Sequence, residues 1–414
     1  MNLVLGWIPK LFGSANYTLR NYSVFLMIIL CIQYIPIESR AGVSWVKVTA
    51  MVVTIFIYLR YIAVNKMFII CTIYLFWIYV TAYCLHPNSF RASTVIYLSM
   101  YVLTFMAFYT FVWEYHVFSL DFFIRVLRNF IFVLVCVLVI QQCCLIVGIR
   151  LLPIINLCLE LDRGIGANSL TFEPSTLGRL LNVLYYAYLK CNEYKQGSKI
   201  GLQQIFTGEH KLVSVAFVWA TLTMGSGTAF IALAITSLYF MRGRQFLLSI
   251  PIFIGLFLIL DVSGNQSFER AVYASQSTIT GDSKLIMETD GSAAVRILPI
   301  VNTLKIDWSD IDSWIGEGCD SARKHGVYSK YRYMGQISDY GLISYLLELL
   351  LIFSCSIRFA SLGTIMFFLG VGGGVANVSY GWGLLMIFSC VKYFYENRPD
   401  VIHENIDGNL IVLD

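Results

Sequence analysis

Charge is scarce in this sequence. Asp, Glu, Lys and Arg make up 13% of its 414 residues, where a soluble domain carries about 25%. That scarcity excludes a water-soluble globular protein. Histidine is scarcer still, five residues in all, and their scatter offers no zinc-binding spacing. The chain also lacks a G-x-S-x-G nucleophile motif, a Pro/Ser linker, a low-complexity tract and an internal repeat. "MGSGTAF" at 224–230 is Gly-rich, but it has neither the lysine nor the preceding strand of a phosphate loop, so it reads as a tight turn between helices. "DWSDIDSW" brings Asp307, Asp310 and Asp312 together without the spacing of a calcium loop. No A-x-A-like site follows the first apolar run, so a cleavable signal peptide is not expected.

What is abundant is apolar. Hydrophobic residues reach 58% and mean hydropathy is +0.71. Apolar runs recur along the chain, many near the ~20 residues that a membrane helix requires. The reading is an all-α polytopic membrane protein with twelve spans, at about 22–38, 43–59, 67–84, 94–113, 129–150, 174–190, 212–225, 227–241, 246–262, 338–357, 359–372 and 378–395. It divides into an interfacial N-terminus (1–21, with Trp7 and Lys10 as anchors), nine spans over 22–262 with an outer loop at 151–173, and a large outer loop at 263–337. Three more spans follow over 338–395, then a polar tail at 396–414. Fifteen of the Lys and Arg residues fall on one set of segments, from Lys10 and Arg20 through Lys190, Lys195, Lys199 and Lys211 to Arg358, Lys392 and Arg398. The opposite short loops hold little beyond Arg40, Lys47, Arg91 and Arg163. The positive-inside rule then places both termini in the cytoplasm, and the 263–337 loop, which holds eight Lys and Arg, crosses regardless of its charge.

Ionised groups near a bilayer core are costly, so those at the outer side call for partners or a use. "TFEPSTLGRLLN" (171–182) opens a span with Glu173 at its edge and Arg179 inside it. Pro174 suits a first helical turn, and Ser175 and Thr176 can satisfy its free N–H groups. Two readings stay open: an acid answering the helix dipole with an arginine snorkelling outward, or an anion site at a helix N-terminus. Arg163 stands just before two glycines, Gly164 and Gly166. The large loop adds Arg296 at the start of an apolar helical pattern, then Arg323, His325 and Arg332 around the Gly-punctuated "WIGEGCDSARKHG". Most of the eleven cysteines sit in spans as small apolar residues. Cys158 and Cys319 fall in outward loops, where an oxidising compartment permits a disulfide if the fold brings them together.

The order of these features resembles the O-antigen ligase/polymerase superfamily, most closely the Wzy-type polymerases of O-antigen or capsular repeat units. It rests on the span count, "FEPST" opening a middle span, "SAAVRILPIV" and "IGEGCDSAR" in one large late outer loop, and "SDYGLISYLLELL" opening the next span. The resemblance implies a GT-C-like, metal-independent glycosyltransferase without cofactor, in the bacterial inner membrane. Its substrates would be oligosaccharides on undecaprenyl pyrophosphate, and its expected partners a chain-length regulator and a flippase, with no nucleic acid. Carried over residue by residue, it makes Arg163, Arg179 and Arg296 pyrophosphate ligands, with Arg323 and Arg332 behind them. Glu173 or His325 would be the base. The ligase branch has a histidine just before the span that opens with "GLIG"; the stretch here is "YRYMGQISDYGL", without one, and His325 comes earlier. The ligase and a lipid or polysaccharide flippase are the competing readings.

Overall fold

The computed structural model describes residues 15–35, 44–149, 166–241, 299–319, 333–371, 375 and 379–398. Among them there is no strand, only helices and their connections. In chain order these are α1 (Ala15–Cys31), α2 (Trp45–Tyr58), α3 (Lys66–Tyr79, continued by a π-helical stretch Val80–Leu85), α4 (Ala92–Trp113), α5 (Leu120–Ile146) and α6 (Pro174–Gln196). Then come α7 (Lys211–Thr223), α8 (Gly227–Ser237), α9 (Ile311–Ile315), α10 (Ile337–Cys355), α11 (Leu362–Val371) and α12 (Ser379–Glu396). Among the described residues, four stretches are long and apolar enough to cross a bilayer: Lys66–Leu85, α4, α5 and α10. The protein is therefore a helical membrane protein.

A helix lies at every expected span except 246–262, which falls outside the described residues, as do Arg163, Arg296, Arg323, His325, Arg332 and Cys158. Several bounds differ from expectation. α5 begins well before 129, because Ser119 accepts a hydrogen bond from the Phe122 N–H and Asp121 favours the first turn. The 10 residues of α11 span only about 15 Å at 1.5 Å per residue, short of a hydrocarbon core. "MGSGTAF" is the expected turn: α7 ends before Met224, Gly225 takes φ 71°, and α8 starts at Gly227.

Two helices form the interior. α6 packs against α5, α7, α8, α11 and α12, and α12 packs against α1, α4, α6 and α11. Most of their side chains are buried all round, from Leu177 to Asn192 in α6 and from Tyr380 to Phe394 in α12. An interior α6 explains its polar residues, since each finds a partner there. Asn182 donates to the Gly178 carbonyl at 2.6 Å and accepts from Thr236 at 2.7 Å, and Tyr185 shares a 2.8 Å hydrogen bond with Ser214. Small residues let these helices approach closely, as packing within a bilayer favours. A Cβ on Gly178 would meet the Ala229 Cβ of α8 at 2.6 Å, and one on Gly383 would meet the Cys31 Sγ of α1 at 2.6 Å and its N at 2.8 Å.

The late-loop residues 311–319 fold back onto the start of α10. The Glu317 N–H donates to Ser338 O at 2.8 Å and the Gly318 N–H to Asp339 O at 3.1 Å. Gly316 (φ 75°) and Gly341 (φ 78°) face each other here, and a Cβ on Gly341 would lie 2.0 Å from Trp314 O. The Gly-punctuated turn read from the sequence is thus a backbone-to-backbone dock that only glycine can make. Cys319 keeps a free thiol, 3.3 Å from the Tyr340 hydroxyl.

Overpacking a helix contact costs about 1–3 kcal/mol or more. Gly383→Leu is expected to lower the melting temperature and the monodisperse yield in detergent. Gly201→Ala, whose new methyl would come no nearer than 3.7 Å to the Gln204 side chain, should change neither. Equal melting of the two variants would refute the close α1–α12 approach.

Candidate functional site

One end of the bundle gathers the starts of α2, α6 and α12 and the end of α1. Lys47, in the first turn of α2, is buried. Its Nζ donates to Ile32 O at 2.6 Å and to Ser379 Oγ at 2.8 Å. An ammonium at that depth is tolerable because it meets a helix C-terminal carbonyl and a hydroxyl there. Next to Ser379 stands Tyr380, whose ring lies 6.0 Å from the Arg179 guanidinium. The Tyr380 hydroxyl is buried and has no hydrogen-bond partner among the described residues.

Arg179 does not simply snorkel outward. Nη1 donates to Gly370 O at 2.9 Å, Nη2 to Thr176 Oγ1 at 3.1 Å and Nε to Ser175 O at 3.3 Å. Its fork thus joins α6 to the end of α11. Thr176 Oγ1 accepts from Arg179, and Ser175 Oγ donates to Glu173 Oε2 at 2.9 Å. Glu173 is the N-cap residue with Pro174 at the first position, as "FEPST" suggests, but its side chain makes no cap bond and is exposed. Glu173 and Arg179 lie six residues, or about 9 Å, apart along the axis and share Ser175 as a neighbour.

The loop before α6 completes the arrangement. Ala167, Asn168, Ser169 and Thr171 are buried. Gln141 of α5 donates to Ser169 O at 3.1 Å and accepts from the Ser169 N–H at 2.7 Å. Asn168 donates to Thr171 O, and Thr171 Oγ1 to Glu173 O at 2.9 Å. The Phe172 N–H donates to Gln33 Oε1 at 3.1 Å, and the Gln33 N–H to Leu170 O at 3.0 Å. Contacts therefore run in a closed ring: Lys47, Ile32–Gln33, Phe172–Glu173, Ser175, Arg179, Tyr380–Ser379 and back to Lys47.

The sequence reading placed the polar groups at the outer surface, and one residue corrects it. Glu348, within α10, is buried, and its Oε1 accepts from the Val375 N–H at 2.5 Å. Gly370 is the penultimate residue of α11 and Val375 lies beyond its end, so a guanidinium and a carboxylate hold backbone groups five residues apart. Lys47 and Glu348 went unremarked in the sequence as site residues. The signal was available: each is an ionisable residue inside an apolar span, which in a membrane reads as functional. Of the seven residues singled out from the sequence, the structure describes Glu173 and Arg179, and it brings them to the same ring.

Leaving the Val375 donor without its acceptor costs about 1–3 kcal/mol. Glu348→Ala should therefore lower the thermal unfolding midpoint in detergent, and Glu348→Gln, which keeps a carbonyl acceptor, should recover most of the loss. Identical midpoints for Glu348→Ala and wild type would show that the carboxylate does not hold the connection.

No protein-family model, curated protein or solved structure matches the chain, so the functional reading rests on the residues themselves.

Proposed function

We propose that this protein is a membrane glycosyltransferase that polymerises oligosaccharide repeat units carried on undecaprenyl pyrophosphate, working at the outer face of the bacterial inner membrane. The observation that carries the proposal is the gathering of Lys47, Arg179 and the N-termini of α2, α6 and α12 at one end of the bundle. Cations and helix N-termini together favour an anion. The buried, unpartnered Tyr380 hydroxyl beside Arg179 supplies a further donor. On the proposed topology of twelve GT-C-like spans with both termini in the cytoplasm, this end faces outward. There the pyrophosphate of a lipid-linked sugar would sit while its polyprenyl tail stays in lipid.

In the proposed reaction the acceptor hydroxyl oxygen attacks the anomeric carbon of the growing chain. The bond from that carbon to the pyrophosphate oxygen breaks, and its electron pair leaves on the pyrophosphate. Fixed guanidiniums stabilise that growing charge, and their planar fork suits phosphate oxygens. Arg179 is the proposed ligand within the described residues. Arg163 and Arg296, then Arg323 and Arg332, are assigned from the sequence resemblance alone. The hydroxyl proton passes to a base, for which exposed Glu173 is the first candidate and His325 the second. No metal or cofactor enters the scheme.

A second reading has its own support. Glu348 is buried within a span and bonded to the connection that separates α11 from α12. Buried carboxylates beside interrupted helices are a feature of transporters, which favours a lipid or polysaccharide flippase.

Surface polysaccharide from a deletion strain, complemented with wild type or Arg179→Ala, separates these readings on a gel. A polymerase predicts a full ladder with wild type and a drop of about tenfold or more in polymer with Arg179→Ala, leaving single units on the lipid core. A ladder unchanged by Arg179→Ala would remove Arg179 from the reaction. Single units trapped on the cytoplasmic side of the deletion strain would favour the flippase, and polymer retained on undecaprenyl pyrophosphate the ligase.

A further inference from the structure

The opposite end of the bundle holds a cavity of about 380 Å³, within the roughly 300–1,000 Å³ range of small-molecule sites. It lies between the last turns of α6, the last turns of α12 and the turn 356–361 that joins α10 to α11. Four cations line it, Lys190, Lys199, Arg358 and Lys392, against a single carboxylate, Glu193. That carboxylate is already committed: Oε1 meets Lys190 Nζ at 2.9 Å and Oε2 accepts from the Tyr239 hydroxyl at 2.8 Å. Lys392 donates to Phe353 O and Ser354 O. Arg358 is exposed, and its guanidinium stacks 4.0 Å over the Tyr395 ring.

Two further features point to an anion. The N-terminus of α11 opens on the cavity, with Leu362 and Gly363 in its lining, so the positive end of a 10-residue helix is presented there. Ser356 also lines the cavity. It is 1% exposed, and its hydroxyl has no hydrogen-bond partner among the described residues. A buried hydroxyl left unmet is rare in a folded protein and marks the place of a missing acceptor. The same wall carries apolar surface: Phe359, beside Arg358, is 80% exposed, and Leu238 is 37% exposed. Polar groups within and apolar side chains at the rim match a phosphate that carries an acyl tail.

We propose that this cavity binds a phosphate ester, the headgroup of an anionic phospholipid, at the end of the bundle where the basic loops gather. Arg358, Lys190 and the α11 N–H groups hold the phosphate oxygens, Ser356 donates to one of them, and Phe359 lies along the acyl chain. Basic pockets between membrane helices on the positively charged side suit such headgroups. This site is separate from the ring around Arg179 and independent of the reaction assigned there.

The test uses the full-length protein in detergent, stripped of lipid. Phosphatidylglycerol, phosphatidylcholine and inorganic phosphate are added separately, while native mass spectrometry and the thermal midpoint are followed. The expected result is retention of phosphatidylglycerol with a raised midpoint. Arg358→Gln combined with Lys190→Gln should weaken that binding about tenfold or more, and Arg60→Gln, in a loop between α2 and α3, should leave it unchanged. Equal stabilisation by inorganic phosphate and phosphatidylglycerol, lost in the double variant, would support the phosphate site with a soluble ligand. Absence of any phosphate-dependent shift in the wild-type protein would overturn the proposal, whatever the double variant does. So would equal binding of phosphatidylcholine, or a double variant that binds as wild type.

Discussion

The ammonium of Lys47 is the contact on which the described bundle turns. Its two hydrogen bonds tie the end of α1 to the start of α12 from the first turn of α2. A buried lysine left unpaired there would be expensive, so these three helix ends are held in register by a single side chain. Ser379 then sets the position of Tyr380, and Tyr380 stands over Arg179. The interior helices α6 and α12 are thereby aligned at one end, and the close approach of Gly383 to Cys31 continues the alignment along α1 and α12.

Polarity divides between the two ends in different ways. At the Lys47 end the cations are largely spent on protein carbonyls and hydroxyls, which builds a rigid, positively biased floor beneath exposed Glu173. At the other end Arg358 only stacks on an aromatic ring, and the buried Ser356 hydroxyl is unmet. The first is preorganised and keeps the Tyr380 hydroxyl as an unmet donor; the second keeps the Ser356 hydroxyl unmet and the Arg358 guanidinium exposed. Between them Glu348 and Arg179 fix the backbone on either side of a Gly-rich connection, so a change at that connection would be felt by both α11 and α12.

Local chemistry was legible in the sequence. Pro174 announced the start of α6, Gly225 the turn between α7 and α8, and the apolar runs the helices themselves. The closing contacts were not legible, because their partners are far away in the chain. Lys47 meets a serine 332 residues on, and Arg179 a carbonyl 191 residues on. Arg179 could be recognised as an ionised group needing a partner, but not as one whose first partner is backbone. Glu348 was hidden by its apolar neighbours, and nothing around "LLELL" signals that a loop amide 27 residues later reaches it. Arg125 and Arg128 are charges ahead of the expected start at 129, yet they lie inside α5, which Ser119 caps.

The central claim is that the Lys47–Arg179 end binds a lipid-linked pyrophosphate. The most direct measurement is the binding of undecaprenyl pyrophosphate to the purified protein, with wild type compared to Arg179→Lys and undecaprenol as the uncharged control. Saturable binding of the pyrophosphate form is expected, weakened by salt and by loss of the guanidinium fork, with none of undecaprenol above background. Equal binding of the two lipids, or affinity that does not respond to Arg179→Lys, would contradict the claim.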